Sequence, residues 1–198
     1  AAASSLAPAV HAATKAGPRR FRTVLIGCGW WGNNILREAM ASGECEIVGL
    51  CDVDSRQFAA TQRNVAAGTG DQPREFKDYR ELLAATKPEI AIIGTPDHWH
   101  ALPTIAAVKA GAHVYVEKPL AHTFEECELL MAAEKKYGVQ CQMGNQGHSM
   151  QGWRIAYELI KGGSIGDIQE FHTWTNRPVW PQGNPRPPYS DKVPENLD

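Results

Sequence analysis

The chain has 198 residues, 43% of them hydrophobic and 21% charged, with a formal net charge of −2. That length holds one domain, or one domain and part of another. The composition is that of a soluble globular protein. The near-neutral charge excludes a broad electrostatic footprint for nucleic acid or anionic membrane, and no apolar run approaches the ~20 residues needed to span a bilayer.

Residues 1–20 stand apart. Ala1 to Ala13 is rich in Ala and Ser, and Val10-His11-Ala12 fits the small-x-small pattern of a signal-peptidase site. The stretch reads either as the remnant of an export signal, which would put the mature protein in the periplasm, or as an Ala-rich linker.

The apolar run Val24-Leu25-Ile26 then ends in Gly27-Cys28-Gly29-Trp30-Trp31-Gly32, and a helix is expected from Trp31 to Ala41. A strand, a glycine turn and a helix start in that order form a dinucleotide-binding unit. Gly27 allows the sharp turn. Gly29, without Cβ, admits a pyrophosphate close to the backbone, and Gly32 lets the helix pack against the sheet. The helix N-terminus offers free N–H groups to the phosphates. The next apolar run, Ile47 to Cys51, ends in Asp52. That is about 20 residues beyond the last glycine, where an acid meets the adenosine ribose hydroxyls and repels a 2′-phosphate. Arg56 nearby weakens that preference for NAD over NADP.

Asp54 or Ser55 can cap a helix from Arg56 to Ala67. A short strand is expected at Arg74 to Phe76, a helix from Tyr79 to Ala85 capped by Asp78, and a buried strand at Ile90 to Ile93. Thr95-Pro96-Asp97-His98-Trp99-His100 follows, then a helix from about Leu102 to Ala110. The strand Ala112 to Val116 leads into Glu117-Lys118-Pro119. Thr123-x-x-Glu126 is a capping box opening a helix to Tyr137, and Gly138 ends it. A strand from Val139 to Met143 and Gly144-Asn145-Gln146-Gly147-His148 come next, then a helix from about Ser149 to Ile160. Strand and helix alternate with short links, the pattern of a doubly wound α/β fold with a parallel sheet. Asp167 to Asn176 reads as a half-polar strand before a Pro-rich tail. The chain therefore divides into residues 1–20, a dinucleotide-binding domain over 21–147, and the start of an α+β substrate domain over 148–198.

In an open parallel sheet the ligand lies beyond the carboxyl ends of the strands. The glycine turn, Thr95 to His100, Glu117 to Pro119 and Gly144 to His148 all fall on that edge. Lys118, following a buried strand, is the candidate catalytic residue: burial would shift a lysine towards acid–base work. The alternative is a surface lysine in a strand-end loop. His148 could meet substrate or nicotinamide, or simply open a helix. His100 borders the cofactor or caps its helix. Trp174 is expected to cover the sheet, with Trp180 and Tyr189 left open as sugar-stacking or covering residues. Asp97, His98 and His100 do not have metal spacing, so no metal site is expected. The five cysteines carry no C-x-x-C and read as small buried thiols.

Gly27-x-Gly29-x-x-Gly32, Asp52, Thr95-Pro96 and Glu117-Lys118-Pro119, the last after Ala110-Gly111-Ala-His113-Val, together resemble the Gfo/Idh/MocA oxidoreductases. Asp97-His98-Trp99-His100 and Gly144 to His148 further resemble the exported branch of that family. The resemblance implies a Rossmann domain binding NAD or NADP, with hydride moved between a sugar or polyol carbon and nicotinamide. It implies that Lys118 assists catalysis, that Asp52 holds the ribose, and that Thr95 and Pro96 line the nicotinamide side. His100 and Glu117 join the glycine-turn residues, Cys28, Trp30 and Trp31 included, as cofactor neighbours. The family's catalytic His, with an Asp four residues earlier, is not found between Asp167 and Asp198. A small carbohydrate or polyol is the implied substrate, and pairing into a homo-oligomer through the second domain is implied for the full-length protein. Two other readings stand beside this one: a glycoside hydrolase that keeps NAD bound and cleaves by transient oxidation, and a non-catalytic NAD-binding fragment.

Overall fold

Apolar stretches of four to seven residues form the strands of one sheet, and the amphipathic stretches between them cover its faces. A computed structural model describes residues 19–175, 185 and 195–197. Most of the proposed export remnant, together with Trp180 and Tyr189, lies outside the described residues. The elements run β1 (Phe21–Ile26), α1 (Trp30–Ala41), β2 (Cys45–Cys51), α2 (Arg56–Gly68), β3 (Arg74–Phe76), α3 (Tyr79–Thr86), β4 (Ile90–Ile93), α4 (Ala101–Lys109), β5 (His113–Glu117), α5 (Phe124–Tyr137), β6 (Cys141–Gly144) and α6 (Gln151–Lys161). Short 3-10 turns lie at Asp97–Trp99 and Gln146–Ser149. The six strands are all parallel, in the order β3-β2-β1-β4-β5-β6. This is a Rossmann-type doubly wound sheet. The order reverses between β1 and β4, so the loops leaving these two strands diverge and open a crevice at their carboxyl ends.

Alternation along each strand sends side chains to two cores. On one face Leu25, Ile47, Leu50 and Ile92 pack under Leu36 and Met40 of α1 and Phe58 and Val65 of α2. On the other Val24, Ile26, Ala91 and Ile93 pack under Leu82 and Leu83 of α3, Ala107 and Val108 of α4, and Ala133 of α5. Burial on both faces is why these strands read as near-continuous apolar runs.

The helix ends follow local chemistry. The Asp78 carboxylate accepts from Arg80 N–H at the start of α3. Thr123 and Glu126 form a reciprocal capping box on α5, and Gly138 ends it in the left-handed region at φ 66. At α2 the Ser55 side chain makes no cap; the Asp54 carboxylate accepts from Arg56 N–H instead.

Two expectations fail beyond β6. Residues 168–175 form no strand, and among the described residues no neighbour pairs with them. Trp174 is exposed and does not cover the sheet. No residue of α6 is buried, although its apolar side carries Trp153, Ala156 and Ile160.

Candidate functional site

The parallel sheet brings the glycine turn, Asp52, Thr95, Lys118 and the Gly144 loop to one edge. The glycine turn is held by mutual close packing. Gly27 has φ +93, and a Cβ on it would lie 2.6 Å from the Gly94 carbonyl carbon. A Cβ on Gly32 would lie 2.0 Å from the Gly27 carbonyl oxygen. Gly94 closes the third side, since its own Cβ would meet Gly32 Cα at 2.8 Å. Its contribution was missed in the sequence, where it stood only as the residue after an apolar strand.

Gly29 has the opposite setting: nothing lies within 4 Å of where its Cβ would be. It is the N-cap of α1, no side chain caps that helix, and no acid sits in its first turn. The first N–H groups of a helix lack partners within the helix. An uncapped helix start behind a residue without a side chain is the cradle a pyrophosphate needs. These residues fit a dinucleotide. Asn33 braces the turn, its Nδ2 donating to the Cys28 carbonyl at 2.6 Å and to Thr61 Oγ1 at 2.9 Å. Asn33 lies outside the glycine motif and carried no signal of its own.

Asp52 is half-buried and aimed by the backbone. Its Oδ2 accepts from Cys28 N–H at 2.7 Å, and its Oδ1 accepts from Asp54 N–H at 2.8 Å. The Cys28 thiol is buried beneath, and burial together with the Asp52 charge pushes it far above the ordinary thiol range. Asp52 lines a cleft of about 540 Å³ on the α3–α4 face, shared with Gly27, Tyr79, Thr95, Pro96 and Trp99. Thr95 and Pro96 thus share a wall with Asp52. Trp30 is exposed, and its ring centroid lies 5.2 Å from that of Trp31.

A second cleft, about 740 Å³, opens on the α1 face between Trp31, Ile35, Ile92, Tyr115, Glu117 and Gln146. Glu117 is buried at 3% exposure. Its Oε2 accepts from Lys118 N–H at 3.0 Å, which fixes the backbone of the candidate catalytic residue. Its Oε1 and the Trp31 Nε1 are buried without a hydrogen-bond partner in the protein. Tyr115 shares the cleft, and burial and the Glu117 carboxylate push its phenol above the usual range. The period-two spacing of Tyr115 and Glu117 on β5 was the available signal for this pairing. Gly144 must lack a side chain here, since its Cβ would lie 2.5 Å from Glu117 Oε1.

The fold gives Lys118, His100 and His148 three different surroundings. Lys118 is exposed, so it does not have the desolvated setting expected of it; the strand ends at Glu117, and the Lys118–Pro119 bond is cis. His100 is 1% exposed and lines neither of these two clefts. Its Nδ1 lies 2.6 Å from the Pro119 carbonyl and its Nε2 lies 2.9 Å from the Thr95 carbonyl, so it ties the β4 loop to the β5 loop. It makes no side-chain cap for α4. His148 is exposed in the 3-10 turn, beside Trp153 and Arg154. Among the described residues, no three His, Cys, Asp or Glu side chains come together as a metal site would require.

Comparison with known proteins follows this geometry. Residues 21–145 match the GFO_IDH_MocA model, described as an oxidoreductase family with an NAD-binding Rossmann fold. The chain is 29% identical over 150 residues to an inositol 2-dehydrogenase of Salmonella typhimurium, covering 75% of this chain and 44% of that protein. It is 28% identical over 155 residues to a glycosyl hydrolase family 109 protein of Shewanella pealeana, covering 74% and 33%. Among solved structures, the WlbA dehydrogenase of Bordetella pertussis, in complex with NADH and UDP-GlcNAcA, matches with a TM-score of 0.63 at 27% identity, covering 75% and 44%. The chain therefore spans less than half of the length of these relatives.

Proposed function

The chain belongs to the Gfo/Idh/MocA oxidoreductase family, whose model covers its NAD-binding Rossmann fold, and from that premise we propose that the complete protein is a sugar or polyol dehydrogenase. One observation carries the reading: the uncapped start of α1 behind Gly29 lies on the same sheet edge as Asp52 and Lys118. NAD, when bound, supplies nicotinamide as the hydride acceptor. The protein's own part begins with the α1 N–H groups, which hold the pyrophosphate. Asp52, aimed by two backbone N–H groups, accepts from the adenosine ribose hydroxyls. Thr95 and Pro96 bound the crevice between these points. Lys118, its backbone held by Glu117, offers its side chain to the oxygen of the reacting carbon.

The test is to supply the complete protein with NAD⁺ and a panel of free sugars, cyclitols and aryl glycosides. Net NADH formation with a free sugar or cyclitol supports the dehydrogenase. Release of an aglycone without net NADH would replace it with the glycoside hydrolase that keeps NAD bound, a second reading favoured by the similarity to the Shewanella protein.

Three further parts of the proposal concern the rest of the protein. Residues 148–198 are read as the start of a substrate domain, supported by the exposed apolar side of α6. The protein is read as a homo-oligomer, which light scattering checks. The Ala-rich N-terminus with Val10-His11-Ala12 supports export to the periplasm, and a mature N-terminus near Ala13 in periplasmic extract is the expected finding.

A further inference from the structure

Resting on that reading and carrying it to the choice between the two nicotinamide dinucleotides, we propose that Asp54 sets the preference for the unphosphorylated cofactor by holding Arg56 in a closed fork. Arg56 opens α2, four residues past Asp52. An arginine near the β2 end is the group that accommodates a 2′-phosphate. Here it is engaged. Its Nε donates to Asp54 Oδ1 at 2.9 Å and Oδ2 at 3.1 Å, and its Nη2 donates to Oδ2 at 2.7 Å. A planar guanidinium spent on one carboxylate cannot present the same donors to a phosphate.

Asp54 is the fixed member of the pair. It is 8% exposed, whereas the Arg56 side chain is 67% exposed. Its carboxylate also accepts from Arg56 N–H at 3.0 Å, Gln57 Nε2 at 3.3 Å and Asn196 Nδ2 at 3.0 Å. Residues 195–197 are seated on this turn: Ser55 N–H donates to the Asn196 carbonyl at 3.3 Å, and Asp54 pairs with Leu197 in an antiparallel bridge. Asp54 therefore acts twice. Its backbone N–H aims Asp52, the ribose acceptor, and its side chain withdraws the cation that would welcome a 2′-phosphate. Of the cations on the adjoining cleft, Arg80 is bonded in turn to Asp78 at 2.9 Å, and Lys77 lies at the end of β3.

Binding of NAD⁺ and NADP⁺ to the complete protein, measured by calorimetry, tests this without turnover. The unaltered protein should favour NAD⁺. Asp54→Ala, which leaves the Asp54 backbone donor in place, should tighten NADP⁺ roughly tenfold, the scale of one charge-assisted contact, with NAD⁺ changed by no more than about threefold. The double variant Asp54→Ala/Arg56→Ala should lose that gain. Persistence of the gain in the double variant, or its absence in the folded single one, overturns the proposal. Asp54→Asn, which keeps the size and an acceptor for Arg56 N–H but removes the charge, should tighten NADP⁺ in the same direction. The absence of any gain there overturns the proposal even if Asp54→Ala does not fold. Failure of the unaltered protein to bind either dinucleotide removes the cofactor reading itself, and this inference with it.

Discussion

At the scale of single residues, the site depends on what side chains leave room for. Gly32→Ala would place a methyl 2.0 Å from the Gly27 carbonyl oxygen, a backbone atom that cannot rotate away. Either the turn shifts or α1 lifts from the sheet. The expected result is loss of measurable NAD binding together with a lower thermal midpoint, checked by calorimetry and circular dichroism; wild-type affinity would contradict the interlocked turn. Lys118 makes the opposite prediction. It is exposed and no fold contact depends on it, so Lys118→Ala in the complete protein should leave stability and NAD affinity near wild type and cut kcat at least a hundredfold, the lower range of acid–base catalysis. Unchanged turnover would remove its proposed role. The glycines were legible because a positive φ and a close backbone approach each restrict the residue type. The exposure of Lys118 and the looping role of His100 were not, because side-chain surroundings depend on segments far away in the chain. Thr95, His100 and Pro119 meet only once β4 and β5 pair.

At the scale of elements, local rules account for most helix ends and tertiary partners account for the exceptions. The capping box at Thr123 and Glu126 was readable because both partners lie within one turn. Thr123→Ala should destabilise the protein by about 1 kcal/mol, the usual cost of losing an N-cap, read as a shift in denaturation midpoint. A change indistinguishable from zero would mean that α5 is held by packing on Leu130 and Ala133 alone. Leu36 of α1 is fully buried against the sheet, and Leu36→Ala should cost about 2–5 kcal/mol, several times the cap, by the same measurement. The strand expected from Asp167 shows the limit of local reasoning. Alternation describes a face, but a strand exists only with a neighbour to share its hydrogen bonds. Residues 168–175 have none among the described residues.

At the scale of the whole molecule, titration behaviour joins distant parts of the fold. Hydrogen bonds from Arg80 to Asp78, and from Arg22 N–H and Arg19 to Glu89, hold those carboxyls below their ordinary ranges. A depressed carboxyl stabilises the fold above its unfolded value and loses that contribution as pH falls. The unfolded references are 3.8 for Asp and 4.5 for Glu, so the thermal midpoint should drop below about pH 4. The thiols act with the other sign. Burial raises Cys51 to about 12 and Cys141 to about 11 from a reference of 9.0, and raises Cys28 further. Their contribution is complete below pH 9 and is lost as pH rises through the folded values. Replacing Cys28, Cys51 and Cys141 with Ala should therefore flatten the fall in midpoint between pH 9 and 11, and an unchanged slope would contradict the buried-thiol account. The sequence by itself determined the order of strands and helices, the two-faced apolar pattern, the glycine turn and the acid at the end of β2. Each is set by interactions within a few residues, or by a period that one strand or helix imposes on its own side chains. Only the tertiary structure decided that Arg56 is spent on Asp54, that Glu117 and Trp31 share one cleft, that His100 joins two loops, and that Lys118 stands in solvent. Those outcomes depend on which segments the parallel sheet brings side by side, and no local pattern encodes that proximity.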